Sequence, residues 1–128
     1  MIKLLTIGLG GAAGAVLRYW VSGWTYRFLR DGFPWGTLGV NLIGSLSIGL
    51  IWGVSENLPL SQNAKAFILI GLLGSFTTFS TFSLETFHLI RDGEYWWALY
   101  NSALSVILGI GLVFTGFLAS RTLMDTIR

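Results

Sequence analysis

Ile70–Glu85 runs Ile-Gly-Leu-Leu-Gly-Ser-Phe-Thr-Thr-Phe-Ser-Thr-Phe-Ser-Leu-Glu, inside a segment long enough to cross a membrane. It carries two glycines, three serines, three threonines and a glutamate at depths where lipid favours aliphatic side chains. Hydrocarbon offers backbone and hydroxyl groups no partners, so such a stretch must face protein, water or ions. Gly71, Gly74 and Ser75 are weak helix formers, and the hydroxyl run follows at once. That pattern is consistent with a break near Gly74–Thr78, which would expose carbonyls and half-helix ends, the usual membrane site for an ion. Alternatively, the hydroxyls bond back to carbonyls one turn earlier and merely bend the helix.

Working outward, the composition demands a membrane. Of 128 residues, 53% are hydrophobic and only 11% charged, outside the soluble range. A spanning helix needs about 20 mostly apolar residues. Four such stretches occur, approximately Leu4–Phe28, Gly36–Val54, Ala64–His88 and Trp96–Ala119. The fold class expected is therefore an all-α membrane protein, residues 1–128 forming a single four-helix transmembrane domain. There is no cysteine, which excludes disulfides and thiolate chemistry. A net charge of +2, scattered along the chain, does not suit nucleic acid. Lys3 and the apolar run after it are not expected to be a cleaved signal, because the run continues through Trp20 and Val21.

Charge sets orientation. Four spans put Lys3, Lys65, Arg121 and Arg128 on one side and Arg27, Arg30 and Arg91 on the other, four against three. Topology follows Lys/Arg bias, and here there is hardly any, so the chain is expected to insert both ways up. Copies in both orientations can pair as antiparallel two-fold dimers.

The remaining polar residues form stripes. Thr37, Asn41 and Ser45 share one face of the second helix, and Asn101, Ser105 and Gly109 one face of the fourth. Asn41 is either helix–helix glue or a site donor. Arg18 either ends the first span early, beside Tyr19 and Trp20, or serves a structural or ion-attracting role. Phe79 and Phe82 face one way, and Thr78, Thr81 and Glu85 another, with His88 a turn beyond. Ring edges are the positive end of the aromatic quadrupole, and hydroxyls donate hydrogen bonds. Together they can replace water around a small anion without a fixed cation in its path. Glu85 would repel that anion if charged, so it is expected near water or hydrogen-bonded by Thr81 and Thr78.

These residues coincide with a known signature. Gly-Xaa-Xaa-Gly-Xaa-Xaa-Thr-Thr-Phe-Ser-Thr-Phe-Ser, Gly71 to Ser83, closely resembles that of the Fluc (CrcB) fluoride channels. Trp35-Gly36-Thr37-Leu38 with Asn41-Leu42 resembles the family's second-helix motif, and Gly11 through Leu17-Arg18-Tyr19 its first. The resemblance covers the whole chain. It implies an antiparallel, dual-topology homodimer in the inner membrane of a bacterium. Each dimer would hold two fluoride pathways, letting fluoride leave the cytoplasm passively and so conferring fluoride resistance. It also implies a structural sodium ion at the dimer centre, held by the backbone carbonyls of Gly74 and Thr77. The fluoride pathway would run past Asn41, Phe79, Phe82 and Ser105, with a polar track through Ser80 and Thr81 toward Glu85. Partners are then fluoride, a second copy and membrane lipid.

The competing function class is a small dual-topology, proton-coupled secondary transporter. Such exporters use a carboxylate in the first helix, where this chain offers Arg18; Glu85 is the only acid in any span. An enzyme is not expected, since one histidine and no cysteine supply no nucleophile–base–orienter set.

Overall fold

The computed structural model describes residues 1–29 and 32–127, and these are helical almost throughout. The helices are α1 (Ile2–Phe28), α2 (Trp35–Asn57), α3 (Gln62–Lys65), α4 (Gly74–Phe76), α5 (Phe79–Arg91) and α6 (Tyr95–Ile127), with a π-helical run, Ala66–Leu73, joining α3 to α4. Four stretches are long and apolar enough to cross a membrane: Ile2–Phe28, Trp35–Asn57, Gln62–Arg91 and Tyr95–Thr126. Each extends past the apolar run that announces it. The tail from Arg121, expected as a short polar end, continues α6 as helix. Arg30 and Arg128 of the charge count, and Asp31 of the first turn, lie outside the described residues.

Two close-packed pairs make the frame. α1 lies against the π-helical run and α4, and α2 lies along α6. Apolar side chains gain little by leaving lipid for protein, so such pairs depend on close backbone approach through small residues. A methyl at Gly71 would stand 2.7 Å from the Ile7 carbonyl oxygen and 3.0 Å from Gly10 Cα. One at Gly14 would strike the Leu72 carbonyl. In the second pair, a methyl at Gly116 would sit 2.5 Å from the Leu46 carbonyl oxygen, and one at Gly49 would strike that of Val113. The glycines of the opening stretch thus serve packing as well. Gly74 itself keeps ordinary helical angles, φ −62° and ψ −32°.

The extended backbone falls just beyond it. Thr77 (φ −77°, ψ 157°) and Thr78 (φ −148°, ψ 116°) separate α4 from α5. At the end near the first loop, buried Phe33 packs on Trp35 and Trp97, ring centroids 4.6 and 5.2 Å away. Gly32 before it has φ +85°, a conformation that glycine adopts without strain.

Candidate functional site

Thr78 is where the local chemistry begins. Its hydroxyl caps α5, accepting the Thr81 amide at 3.2 Å and donating to the Thr81 hydroxyl at 3.0 Å. Its backbone is paired with one side chain from α2: the Asn41 Oδ1 accepts the Thr78 amide at 2.8 Å, and the Asn41 Nδ2 donates to the Thr78 carbonyl at 3.1 Å. Thr77 behaves differently. Its hydroxyl bonds back to the Leu73 carbonyl at 2.9 Å, as Ser83 does to Phe79. The expected back-bonding of hydroxyls is therefore seen at Thr77 and Ser83.

A cavity of about 380 Å³ opens beside this turn. It brings together Asn41, Gly74, Thr77, Phe79, Phe82 and Ser105, all singled out from the sequence, with Ser45 and Thr78. The two rings lie 5.5 Å apart at 43°. Phe79 is 80% exposed on the isolated chain. The Ser105 Oγ is buried with no hydrogen-bond partner among the described residues. A hydroxyl left so, on a cavity wall, is a donor without an acceptor.

The other expected residues lie elsewhere. Thr81 and Glu85 line a second cavity of about 320 Å³, with Arg18, Tyr26, Thr37 and Thr78. Arg18 is half-buried there, on a helix that continues to Phe28. Ser80 is exposed, its hydroxyl 3.4 Å from that of Thr78.

Glu85 corrects an expectation. Its Oε1 accepts from Tyr26 and Thr37, both at 2.8 Å, and not from Thr78 or Thr81, which bond each other. α1 and α2 present these donors to α5 at the depth of its second turn, whereas Thr78 is consumed as the cap. The Oε2 is buried without a hydrogen-bond partner among the described residues. Tyr26 was not singled out from the sequence; Thr37 was signalled by its stripe with Asn41.

A third cavity, about 350 Å³, includes Tyr26, Glu85, His88 and Asp92. The cavities share residues: Thr78 borders the first and second, Tyr26 and Glu85 the second and third. At the outer end, the Arg91 guanidinium hydrogen-bonded to Asp92 at 2.8 Å holds that carboxyl below its ordinary range.

Phe82 is tied to α6 by a relay that the sequence did not announce. Fully buried Asn101 donates to the Thr86 hydroxyl at 2.9 Å, which donates to the Phe82 carbonyl at 2.8 Å.

The model of the family described as CrcB-like protein, Camphor Resistance (CrcB), matches residues 5–117. The chain belongs to the CrcB-like family. CrcB-like relatives include a protein of Parabacteroides distasonis, 44% identical over the full length of both chains. Another, from Geobacter sulfurreducens, is 45% identical over 96% of this chain and all of its own. A third, from Leptospira interrogans, is 45% identical over 89% of this chain and 91% of its own. Each of these CrcB-like proteins is named "Fluoride-specific ion channel FluC".

Proposed function

We propose that this multi-pass membrane protein is a fluoride-selective channel that lets fluoride leave a bacterial cytoplasm passively through the inner membrane. The observation that carries the reading is the first cavity. It gathers donors and ring edges, namely the Ser105 hydroxyl, the Asn41 amide and the paired Phe79 and Phe82, and among the described residues no Lys or Arg lines it and none partners Ser105 Oγ. Fluoride is small and tightly hydrated, and conduction requires donors that replace water without trapping the ion. Asn41 spends one N–H on Thr78, and an amide nitrogen has a second to give. The relatives' name agrees with this chemistry. Thr81 and Glu85 then continue the polar track along the second cavity, with the Ser80 hydroxyl 3.4 Å from that of Thr78.

The finer architecture belongs to the same proposal. The third span is broken mid-membrane, and the extended angles of Thr77 and Thr78 support this. The chain works as an antiparallel homodimer inserted in both orientations, with two pathways. The near-balance of Lys and Arg between the two sides, four against three, supports this. A structural sodium ion at the dimer centre fits the backbone. The Thr78 amide is engaged by Asn41 and so does not bond the Gly74 carbonyl one turn earlier. Gly74 is exposed at that point. Backbone carbonyls of Gly74 and Thr77 are hard oxygen ligands suited to such a cation, which would supply a positive potential for the anion.

Efflux from liposomes holding the purified protein tests the reading. Fluoride release without chloride release, unchanged when a proton gradient is imposed or collapsed, is expected. Release that tracks the proton gradient would favour the coupled transporter.

A further inference from the structure

We infer that Asn41 is a positioning residue as well as a donor in the cavity: its amide stands in for a peptide group and holds Thr77–Thr78 extended. The inference rests on the reading of the cavity as the fluoride pathway, and it starts from the hydrogen bonds of Thr78.

In a continuous helix the Thr78 amide would donate to the carbonyl of Gly74, and the chain through 77–78 would wind on into α5. Thr77 still obeys that rule, its amide donating to the Leu73 carbonyl at 3.0 Å. Thr78 does not. Its amide and carbonyl are both taken by the one side chain of Asn41, the two-point pairing that one strand gives another. Its hydroxyl is simultaneously the cap of α5. Every polar group of Thr78 is thereby satisfied in the extended conformation, and none asks for the helix to close.

Removing Asn41 changes that balance. A buried amide and carbonyl without a partner are costly, and Asn41→Leu leaves both on Thr78, with nothing to hold the extended form. A turn so released would let Phe79 and Phe82 move from the cavity wall. Asn41 lies on α2, so the brace also fixes α2 against α5 at the cavity wall. Close packing reinforces it: a methyl at Gly44, three residues on, would strike the Thr77 side chain.

The test removes the Thr78 amide without touching its side chain, by incorporating the α-hydroxy analogue of threonine at position 78 so that an ester replaces the amide. It is combined with Asn41→Leu in a double-mutant cycle, read by unfolding temperature in detergent and by fluoride efflux from liposomes. The ester in the native background is expected to lower the unfolding temperature and to slow efflux by about tenfold, the rate equivalent of roughly one hydrogen bond. In the Asn41→Leu background it is expected to lower the unfolding temperature no further. Equal losses in both backgrounds, or an ester variant that melts and conducts like the native chain, would overturn the inference. Should the ester chain not assemble, deuterium exchange at the Thr78 amide decides instead. Faster exchange in Asn41→Leu than in the native chain, with Ala66 unchanged, supports the brace, and unchanged exchange at Thr78 refutes it. A native chain that moves no fluoride would refute the channel reading alone, leaving the melting and exchange results to judge the brace.

Discussion

The Tyr26 phenol on α1 donates to Glu85 on α5 at 2.8 Å, across 59 positions of sequence, and Thr37 on α2 donates to the same oxygen at the same distance. Three helices thus meet at one carboxyl oxygen. Thr37→Val is expected to destabilise the protein by about 1–3 kcal/mol, the usual cost of breaking a part-buried hydrogen bond, and Tyr26→Phe, whose bond is exposed, by about 1 kcal/mol or less. Because either donor can hold Glu85 when the other is lost, the double variant should cost more than the sum. Denaturant titration of all four chains measures this, and additivity within about 0.5 kcal/mol would contradict it.

Ser105→Ala separates a fold role from a pathway role. The Ser105 hydroxyl has no protein partner to lose, so stability should stay within about 0.5 kcal/mol of the native chain. Fluoride efflux should fall, by about tenfold for 1.4 kcal/mol of barrier. Unchanged efflux would remove Ser105 from the pathway.

Phe79→Ile and Phe82→Ile keep apolar bulk and delete the ring edge. Efflux should drop by about tenfold or more, while the variants elute from a sizing column as the native chain does. Native efflux from both would mean that the rings only pack.

Asn101 and Thr86 predict a stability effect at the far end of the same wall. Thr86→Val leaves the fully buried Asn101 amide without its acceptor, at a cost of about 1–3 kcal/mol. Thr86→Ser keeps the hydroxyl and should restore most of it. If the two variants unfold alike, the relay to Phe82 contributes nothing.

The glycines of the frame are expected to divide by clearance. Gly49→Ala drives a methyl into the Val113 carbonyl and should destabilise by about 1–3 kcal/mol, since backbone has nowhere to move. Gly111→Ala meets nothing within 4 Å and should be neutral or slightly stabilising. Thermal unfolding of the two distinguishes them.

How much of this was legible depended on whether a residue acts through its own chain or through another. The four apolar stretches follow from length and composition and the Phe79–Phe82 pair from helical spacing; the structure has four helices long and apolar enough to span and sets the two rings 5.5 Å apart. The turn at Thr77–Thr78 was bracketed by composition. Its cause was not, because the partner that claims the Thr78 backbone lies 37 positions away, at Asn41. Glycine in the third span suggested weak helix, whereas Gly71 is there because α1 presses on it and Gly74 is helical. Of the two expectations for Glu85, the one that named Thr81 and Thr78 as donors fails for the same reason: spacing along α5 offers those residues, and only packing brings Tyr26 and Thr37. The Asn101–Thr86–Phe82 relay needs the crossing of two helices and has no sequence signal.

Passive, fluoride-selective conduction is tested most directly by the reversal potential of the purified protein in a planar bilayer, under a tenfold fluoride gradient with chloride equal on both sides. The account predicts reversal at the fluoride equilibrium potential, about 59 mV for a single charge, unmoved by a pH difference across the membrane. Reversal at zero would mean that fluoride does not carry the current, and reversal that shifts with the pH difference would mean that protons are coupled to it. Either result would contradict the channel.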